Sequence, residues 1–256
     1  MKKAIIYYSA TGNTLYCAKQ FKDFSLFDAI SLLDHKVELP EDIEILGLFS
    51  PVYYGGIAKP MRDAIRQVLS ERDNSKLCYI FTILTKGAKS RTAERIMEKE
   101  LEDIGLNLSF SASVLMPDCY LPLCKNSPTK EETEKLKNSV DETINSLVQR
   151  VEKEEFELPP FSLTYRLIKK MSESSISNGE KNKHLSISSS CTGCSLCYSL
   201  CPTNNIKIEN NKAIYKERCI SCYACYNFCS VHAIKYDGKE KGFFVPLVNV
   251  EDLKKR

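Results

Sequence analysis

The chain of 256 residues has only three histidines, His35, His184 and His232, and they are scattered. Each reads as a surface or packing residue, and no side chain stands out as a catalytic acid or base. Glycine is sparse, and no two glycines fall at G-x-G spacing, so a Rossmann dinucleotide fingerprint is missing. The pattern G-x-x-x-x-G-K-[ST] is missing too, which excludes a nucleoside-triphosphate loop. A formal net charge of only +3 gives no bulk attraction to nucleic acid. No apolar run approaches the ~18 residues that would span a membrane, so no insertion is expected. The start, Met1-Lys2-Lys3 and then Ala4 to Tyr8, is too short for a secretory leader and stops at Ser9 without a small-residue cleavage pattern.

Cysteine, by contrast, is plentiful: there are twelve. Eight stand in two runs of the form C-x2-C-x2-C-x3-C. The first is Cys191, Cys194, Cys197 and Cys201, followed by Pro202; the second is Cys219, Cys222, Cys225 and Cys229, followed by Ser230. Such runs ligate [4Fe–4S] clusters, and in two-run proteins the fourth cysteine serves the other run's cluster. Three cysteines at two-residue gaps wrap one cubane and reach three iron corners. The fourth corner faces away and needs a thiolate from elsewhere. The expected sets are therefore Cys191, Cys194, Cys197 and Cys229 for one cluster, and Cys219, Cys222, Cys225 and Cys201 for the other. Tetrahedral zinc would leave the third cysteine of each run unexplained, and disulfides do not favour repeated tight runs. Thiolates that ligate iron must stay reduced, so a cytoplasmic location is expected. Residues 1–150 are close to neutral, while the chain after Leu185 has an excess of Lys and Arg that negatively charged clusters would offset.

Taken in order, residues 3–8 read as a strand buried on both faces. Ser9-Ala10-Thr11-Gly12-Asn13-Thr14 follows, then a helical pattern from Leu15 to about Phe21. A polar loop between strand and helix is where an α/β protein binds phosphate, because free N–H groups and the helix dipole face the anion. A Ser/Thr-rich N-cap without ligand is the other reading. Further strands are expected near 26–33, 43–49, 76–84 and 107–116, and helices from near Pro60, from 91 to 104, and from 130 to 154 with Thr129 as N-cap. The third strand runs into Pro51-Val52-Tyr53-Tyr54-Gly55-Gly56, and the fourth into Thr85-Lys86-Gly87-Ala88. Residues 1–155 thus predict a doubly wound parallel sheet. Leu158-Pro159-Pro160 breaks the last helix, and 156–185 reads as a connector, with an apolar helix at 161–171 and a Ser-, Asn- and Lys-rich stretch at 172–183. Residues 186–256 form a second, small α+β module with an internal repeat. Asn205 to Tyr215 predicts a hairpin about Asn210-Asn211, and a matching pair is expected from Ala233 to Tyr236 returning at Phe243. Residues 250–256 carry no motif.

The loop at Ser9–Thr14 resembles the phosphate loop of flavodoxins, which bind flavin mononucleotide (FMN), and residues 186–236 resemble two-cluster bacterial ferredoxins, with Ser230 departing from the proline of the first run. Nearly the whole chain is similar to bacterial flavodoxin–ferredoxin fusion proteins. The resemblance implies an α/β doubly wound flavodoxin-like sheet of order 2-1-3-4-5 followed by a small ferredoxin domain, with FMN and two [4Fe–4S] clusters as cofactors. In that order strands 1 and 3 flank the topological switch point where ligands sit. Tyr53 and Tyr54 are then expected beside the flavin ring, with Thr85 to Ala88 closing on its other side through backbone groups. No aromatic lies in that last loop, so Tyr120, after the fifth strand, is the candidate replacement. The implied activity is electron transfer with a redox partner protein. A flavin-dependent reductase of a quinone, nitro compound or metal-bound substrate fed by the clusters, an NAD(P)H oxidoreductase, and a redox sensor with structural clusters stay open. Cys119 and Cys124 read as a redox pair or, more commonly in a reduced compartment, as unpaired structural thiols.

Overall fold

A computed structural model of the chain describes residues 2–25, 27–33, 37–87, 92–122, 127–159, 165, 170 and 183–254. Strands β1 (Lys2–Tyr7), β2 (Asp28–Ser31), β3 (Ile43–Tyr53), β5 (Tyr79–Lys86) and β6 (Phe110–Leu115) form one parallel sheet in the order β2-β1-β3-β5-β6. Counting only these five strands, that is the expected 2-1-3-4-5. The middles of the central strands β1, β3 and β5 are largely apolar and buried because both faces are covered, as in other parallel sheets. One face packs against α1 (Asn13–Ser25) and α4 (Lys130–Glu152), around Phe21, Phe49, Phe81, Ile144 and Val148. The other packs against α2 (Lys59–Ala64), which continues as a π-helical turn over Ile65–Leu69, and α3 (Thr92–Glu102), around Ile6, Leu48, Met61, Ile96 and Met97. Gly47 sits mid-strand because a Cβ there would come within 2.7 Å of the Phe81 ring.

Helix α4 starts where the sequence places it. The Thr129 hydroxyl accepts from the Glu132 N–H, and the Glu132 carboxylate accepts from the Thr129 N–H, a capping box. Its buried residues Val140, Ile144, Leu147, Val148 and Val151 repeat every three or four positions. Beyond it Glu157 bridges to Phe110 at the edge of β6.

Two expectations are corrected. The third strand does not end at Phe49: it runs to Tyr53 and folds back through Tyr54 and Gly55, both at positive φ, into β4 (Gly56–Ile57). The predicted Pro51–Gly56 loop is thus a two-residue hairpin, for which left-handed φ at both central residues is the favoured turn. Second, β10 (Ile234–Tyr236) pairs with β7 (Leu185–Ile187), not with a strand at Phe243. Phe243 instead stacks on Tyr226 and donates its N–H to Ser127 Oγ at 2.8 Å. The end, for which the sequence offered no motif, forms helix α7 (Val250–Lys254), whose Leu253 is wholly buried in the α1/α4 core of the sheet domain. The first repeat behaves as read: β8 (Ile206–Glu209) and β9 (Lys212–Tyr215) form a hairpin turning at Asn210-Asn211, with φ of 49° and 57°. Most of the predicted helix at 161–171 and of the stretch at 172–183 lies outside the described residues.

The two modules pack on each other. Leu200, in the first cysteine run, is buried in the sheet domain's core beside Val248 and Leu253. The Lys19 ammonium lies 2.8 Å from the Asp252 carboxylate, and Lys241 Nζ donates to the Pro122 carbonyl at 3.3 Å.

Candidate flavin and iron–sulfur sites

The two cysteine runs fold alike. Gly193 and Ser195 of the first take φ of 68° and 66°, and their counterparts Ser221 and Tyr223 of the second take 53° and 58°. Left-handed residues at these two places curl each run around its sulfurs, and each run ends in a single helical turn, α5 (Leu196–Ser199) or α6 (Ala224–Asn227). Cys191, Cys194, Cys197 and Cys229 line one small void, and Cys201, Cys219, Cys222 and Cys225 line another. The crossed sets expected from the spacing are therefore the sets brought together. All eight cysteines are free of disulfides. Among the described residues no three Cys, His, Asp or Glu side chains converge on a single ion. The sulfurs ring a space instead, which suits a multi-iron cluster better than tetrahedral zinc. Burial, then the neighbouring Cys191 and Cys194 thiolates, push the Cys197 thiol up to about 11. Burial, offset in part by a hydrogen bond from Tyr215, pushes Cys225 up to about 12. Crowded, buried thiolates need the positive charge that iron brings.

A larger cavity of about 370 Å³ opens at the C-terminal ends of β1, β3 and β5. Its wall includes Ser9, Ala10, Thr11, Asn13 and Thr14 from the first loop, Pro51 to Gly55 from the β3–β4 hairpin, Thr85, Lys86 and Gly87 after β5, and Tyr120 after β6. Gly12 and Gly56, also expected there, stand behind the wall: Gly12 carries the turn into α1, and Gly56 pairs with Tyr53. Ala88, Cys124 and His35 lie outside the described residues.

The loop's polar groups are organised. The Gly12 N–H donates to Ser9 Oγ at 3.1 Å, and Thr14 Oγ1 lies 2.8 Å from Thr85 Oγ1, tying the loop to the end of β5. Asn13 Nδ2 donates to the Pro117 carbonyl at 2.9 Å, while its Oδ1 is buried with no partner. The first turn of α1 leaves N–H groups without intrahelical acceptors, as every helix start does.

Tyr53 and Tyr54, expected beside the flavin ring, both line the cavity, in different surroundings. Tyr53 lines the cavity but turns its ring toward Tyr8, ring to edge at 6.3 Å, and packs near Ile220 and Cys222. Burial, then the nearby Tyr8 and Cys222, hold its hydroxyl well above the usual tyrosine range. Tyr54 meets Tyr120 edge-on at 6.2 Å, and Tyr120 meets Tyr223 at 6.0 Å. Tyr120, the candidate aromatic after β6, thus stands on the cavity wall between Tyr54 and Tyr223.

Sequence reasoning missed that Ser221, Cys222 and Tyr223 of the second run also line this cavity, along with Pro117, Asp118 and Cys119. No local signal reveals it, because it depends on how the modules dock. Cys119 accepts from the Thr11 hydroxyl at 3.6 Å. His184 stacks on Tyr236 and His232 packs on Phe243, in keeping with packing roles. No helix among the described residues is long and apolar enough to cross a membrane.

Residues 183–239 match the family model described as a 4Fe-4S dicluster domain. A search of curated proteins returned no match. Among solved structures, the chain is similar to a flavoprotein in complex with FMN from Lactobacillus acidophilus NCFM, at 15% identity over 44% of this chain and 92% of that one, with a TM-score of 0.37. It is similar to a flavodoxin from the domain Archaea (16% identity, 58% and 99% covered, TM-score 0.35). A third is a Fusobacterium nucleatum flavodoxin mutant bound to flavin mononucleotide (16%, 61% and 97%, TM-score 0.39). The fold assignment rests on strand order and not on these overlaps. The chain thus joins a doubly wound parallel sheet of flavodoxin-like strand order, in its first part, to a 4Fe-4S dicluster domain in its second.

Proposed function

We propose that the protein is an electron-transfer flavo-iron–sulfur protein that relays electrons between two [4Fe–4S] clusters, an FMN and a redox partner protein. One observation carries this reading: a single cavity has the Ser9–Thr14 loop on one side and Cys222, with its neighbours Ser221 and Tyr223, on another. A cofactor seated there would touch both modules. When bound, the clusters supply one-electron chemistry and the flavin one- or two-electron storage.

The chain's own residues have distinct parts in this proposal. The hydroxyls of Ser9, Thr11 and Thr14 and the first-turn N–H groups of α1 would hold the phosphate, with no lysine in the loop to compete for it. The orphaned Asn13 Oδ1 would accept from a hydroxyl of the cofactor. An unpaired buried oxygen costs about 1–3 kcal/mol, so a donor arriving there is favoured. Tyr54, Tyr120 and Tyr223 would keep water from the ring. Cys222 makes its site the flavin-side one. The other site has Cys194, the one exposed thiol among the eight, and would face the partner.

Anaerobic purification with iron, sulfide and flavin analysis tests the reading. About eight iron atoms and one FMN per chain are expected, together with electron exchange between the two cofactor types in rapid-mixing reduction. Colourless protein, zinc in place of iron, or clusters and flavin that never exchange electrons would sink it.

A further inference from the structure

The two cysteine runs are an internal repeat, and the repeat is unequal at two positions beside the sulfurs. Tyr215 stands four residues before Cys219, and its hydroxyl lies 3.6 Å from Cys225 Sγ. The counterpart four residues before Cys191 is Ile187. Thr203 stands two residues after Cys201, and its hydroxyl lies 3.7 Å from Cys201 Sγ. The counterpart two residues after Cys229 is Val231. Both hydroxyls thus serve the Cys201/Cys219/Cys222/Cys225 site that borders the cavity, while Val231 lines the other site.

The backbone does not share this asymmetry. Asn205 N–H donates to Cys201 Sγ at 3.2 Å, and its repeat mate Ala233 N–H donates to Cys229 Sγ at the same distance; Ser221 N–H adds a second backbone donor to the first site, on Cys219 Sγ at 3.3 Å, and Ala213 N–H a second to the other, on Cys191 Sγ at 3.5 Å. Each site has two backbone donors, so the difference in donor number comes from the side chains.

A cluster-bound thiolate is only an acceptor, so each hydroxyl would donate to it. Reduction adds one negative charge to a cluster and spreads it over the sulfurs. A donor aimed at a sulfur therefore strengthens on reduction and raises the potential. Resting on the function proposed above, we propose that Tyr215 and Thr203 act as tuning residues that make the flavin-side cluster the higher-potential one of the pair. An electron entering at the Cys194 side then settles next to the flavin cavity. Oxidation of one cluster balances reduction of the other, and no proton is required at either site.

The test is an anaerobic redox titration of the intact holoprotein, followed by the electron spin resonance of the reduced clusters. Wild type should show two distinct one-electron waves. Tyr215→Phe should lower the higher wave by the order of tenfold in its reduction equilibrium, about 59 mV, and leave the lower wave in place. Val231→Thr, which gives the partner-side site a hydroxyl, should raise the lower wave and narrow the gap. Iron and sulfide counts equal to wild type would show that both variants assemble. Waves unmoved by Tyr215→Phe, or a shift confined to the lower wave, would overturn the proposal while leaving the relay intact. A wild-type protein without iron–sulfur clusters would instead defeat the relay itself.

Discussion

The Cγ2 of Val248 lies 2.3 Å from where a Cβ on Gly12 would sit. The C-terminal tail of the iron–sulfur module therefore rests directly on the loop expected to bind phosphate. Gly12 also has a φ of +101°, where L side chains are strained. Gly12→Ala should destabilise the protein by about 2–4 kcal/mol, from overpacking and backbone strain together, and should weaken FMN binding. Denaturant midpoints and a flavin titration measure the two effects. Val248→Ala should recover part of the loss only in the Gly12→Ala background. Equal effects of Val248→Ala in both backgrounds would show that the contact does not matter.

Leu253 extends the same clasp. It is wholly buried against the α1/α4 core, whereas the neighbouring Lys254 is solvent-facing and pairs with the exposed Glu251. Leu253→Ala should cost about 2–5 kcal/mol. Lys254→Ala should stay within about 0.5 kcal/mol of wild type. Similar unfolding midpoints for the two would mean that the tail is not docked in solution.

Gly193 and Gly238 have nearly the same backbone, with φ of +68° and +72°, and different surroundings. A Cβ on Gly193 would meet the Asn211 carbonyl oxygen at 2.6 Å, while nothing lies within 4 Å of one on Gly238. Ser221, the repeat mate of Gly193, carries a side chain at φ +53°, so the angle alone does not demand glycine. Gly193→Ala should disturb the Cys191/Cys194/Cys197 loop and reduce iron per chain by about half, the share of one cluster. Gly238→Ala should cost only about 1–2 kcal/mol of backbone strain and keep its iron. Full iron content in Gly193→Ala is the outcome that would refute this.

Both cofactor-bearing segments were visible in the sequence because each is a local pattern. The cysteine runs carry their geometry in their spacing, and the polar Ser9–Thr14 loop lies between an apolar strand and a helix. The doubly wound sheet followed from apolar runs alternating with helical stretches, and its strand order from the resemblance to flavodoxins. What stayed hidden is what depends on docking. Residues 250–254 look charged and uninformative, yet Leu253 is buried in the core, Val250 packs beside it and Asp252 pairs with Lys19, and two apolar residues among charges make no periodic signal. Tyr223 reads as a spacer between cysteines, yet it closes a cavity built by residues far earlier in the chain. The pairing of β10 with β7 was missed because short strands take whichever edge the fold presents, and Leu185 to Ile187 offers too few residues for an alternation to show.

Lys86, on the cavity wall, makes a 3.0 Å ion pair with Glu94 in the first turn of α3, and the side chains are 9% and 0% exposed. A buried pair is worth little net, but losing one partner strands the other's charge in a low dielectric. Glu94→Gln and Lys86→Met should therefore each destabilise by about 3–5 kcal/mol. The double replacement Lys86→Met with Glu94→Leu should cost less than either single change, because no lone charge is left behind. Urea unfolding of the four proteins at neutral pH gives the coupling directly. Additive losses would show that the ammonium and carboxylate act independently, and that the pair does not hold the β5–α3 junction beneath the cavity.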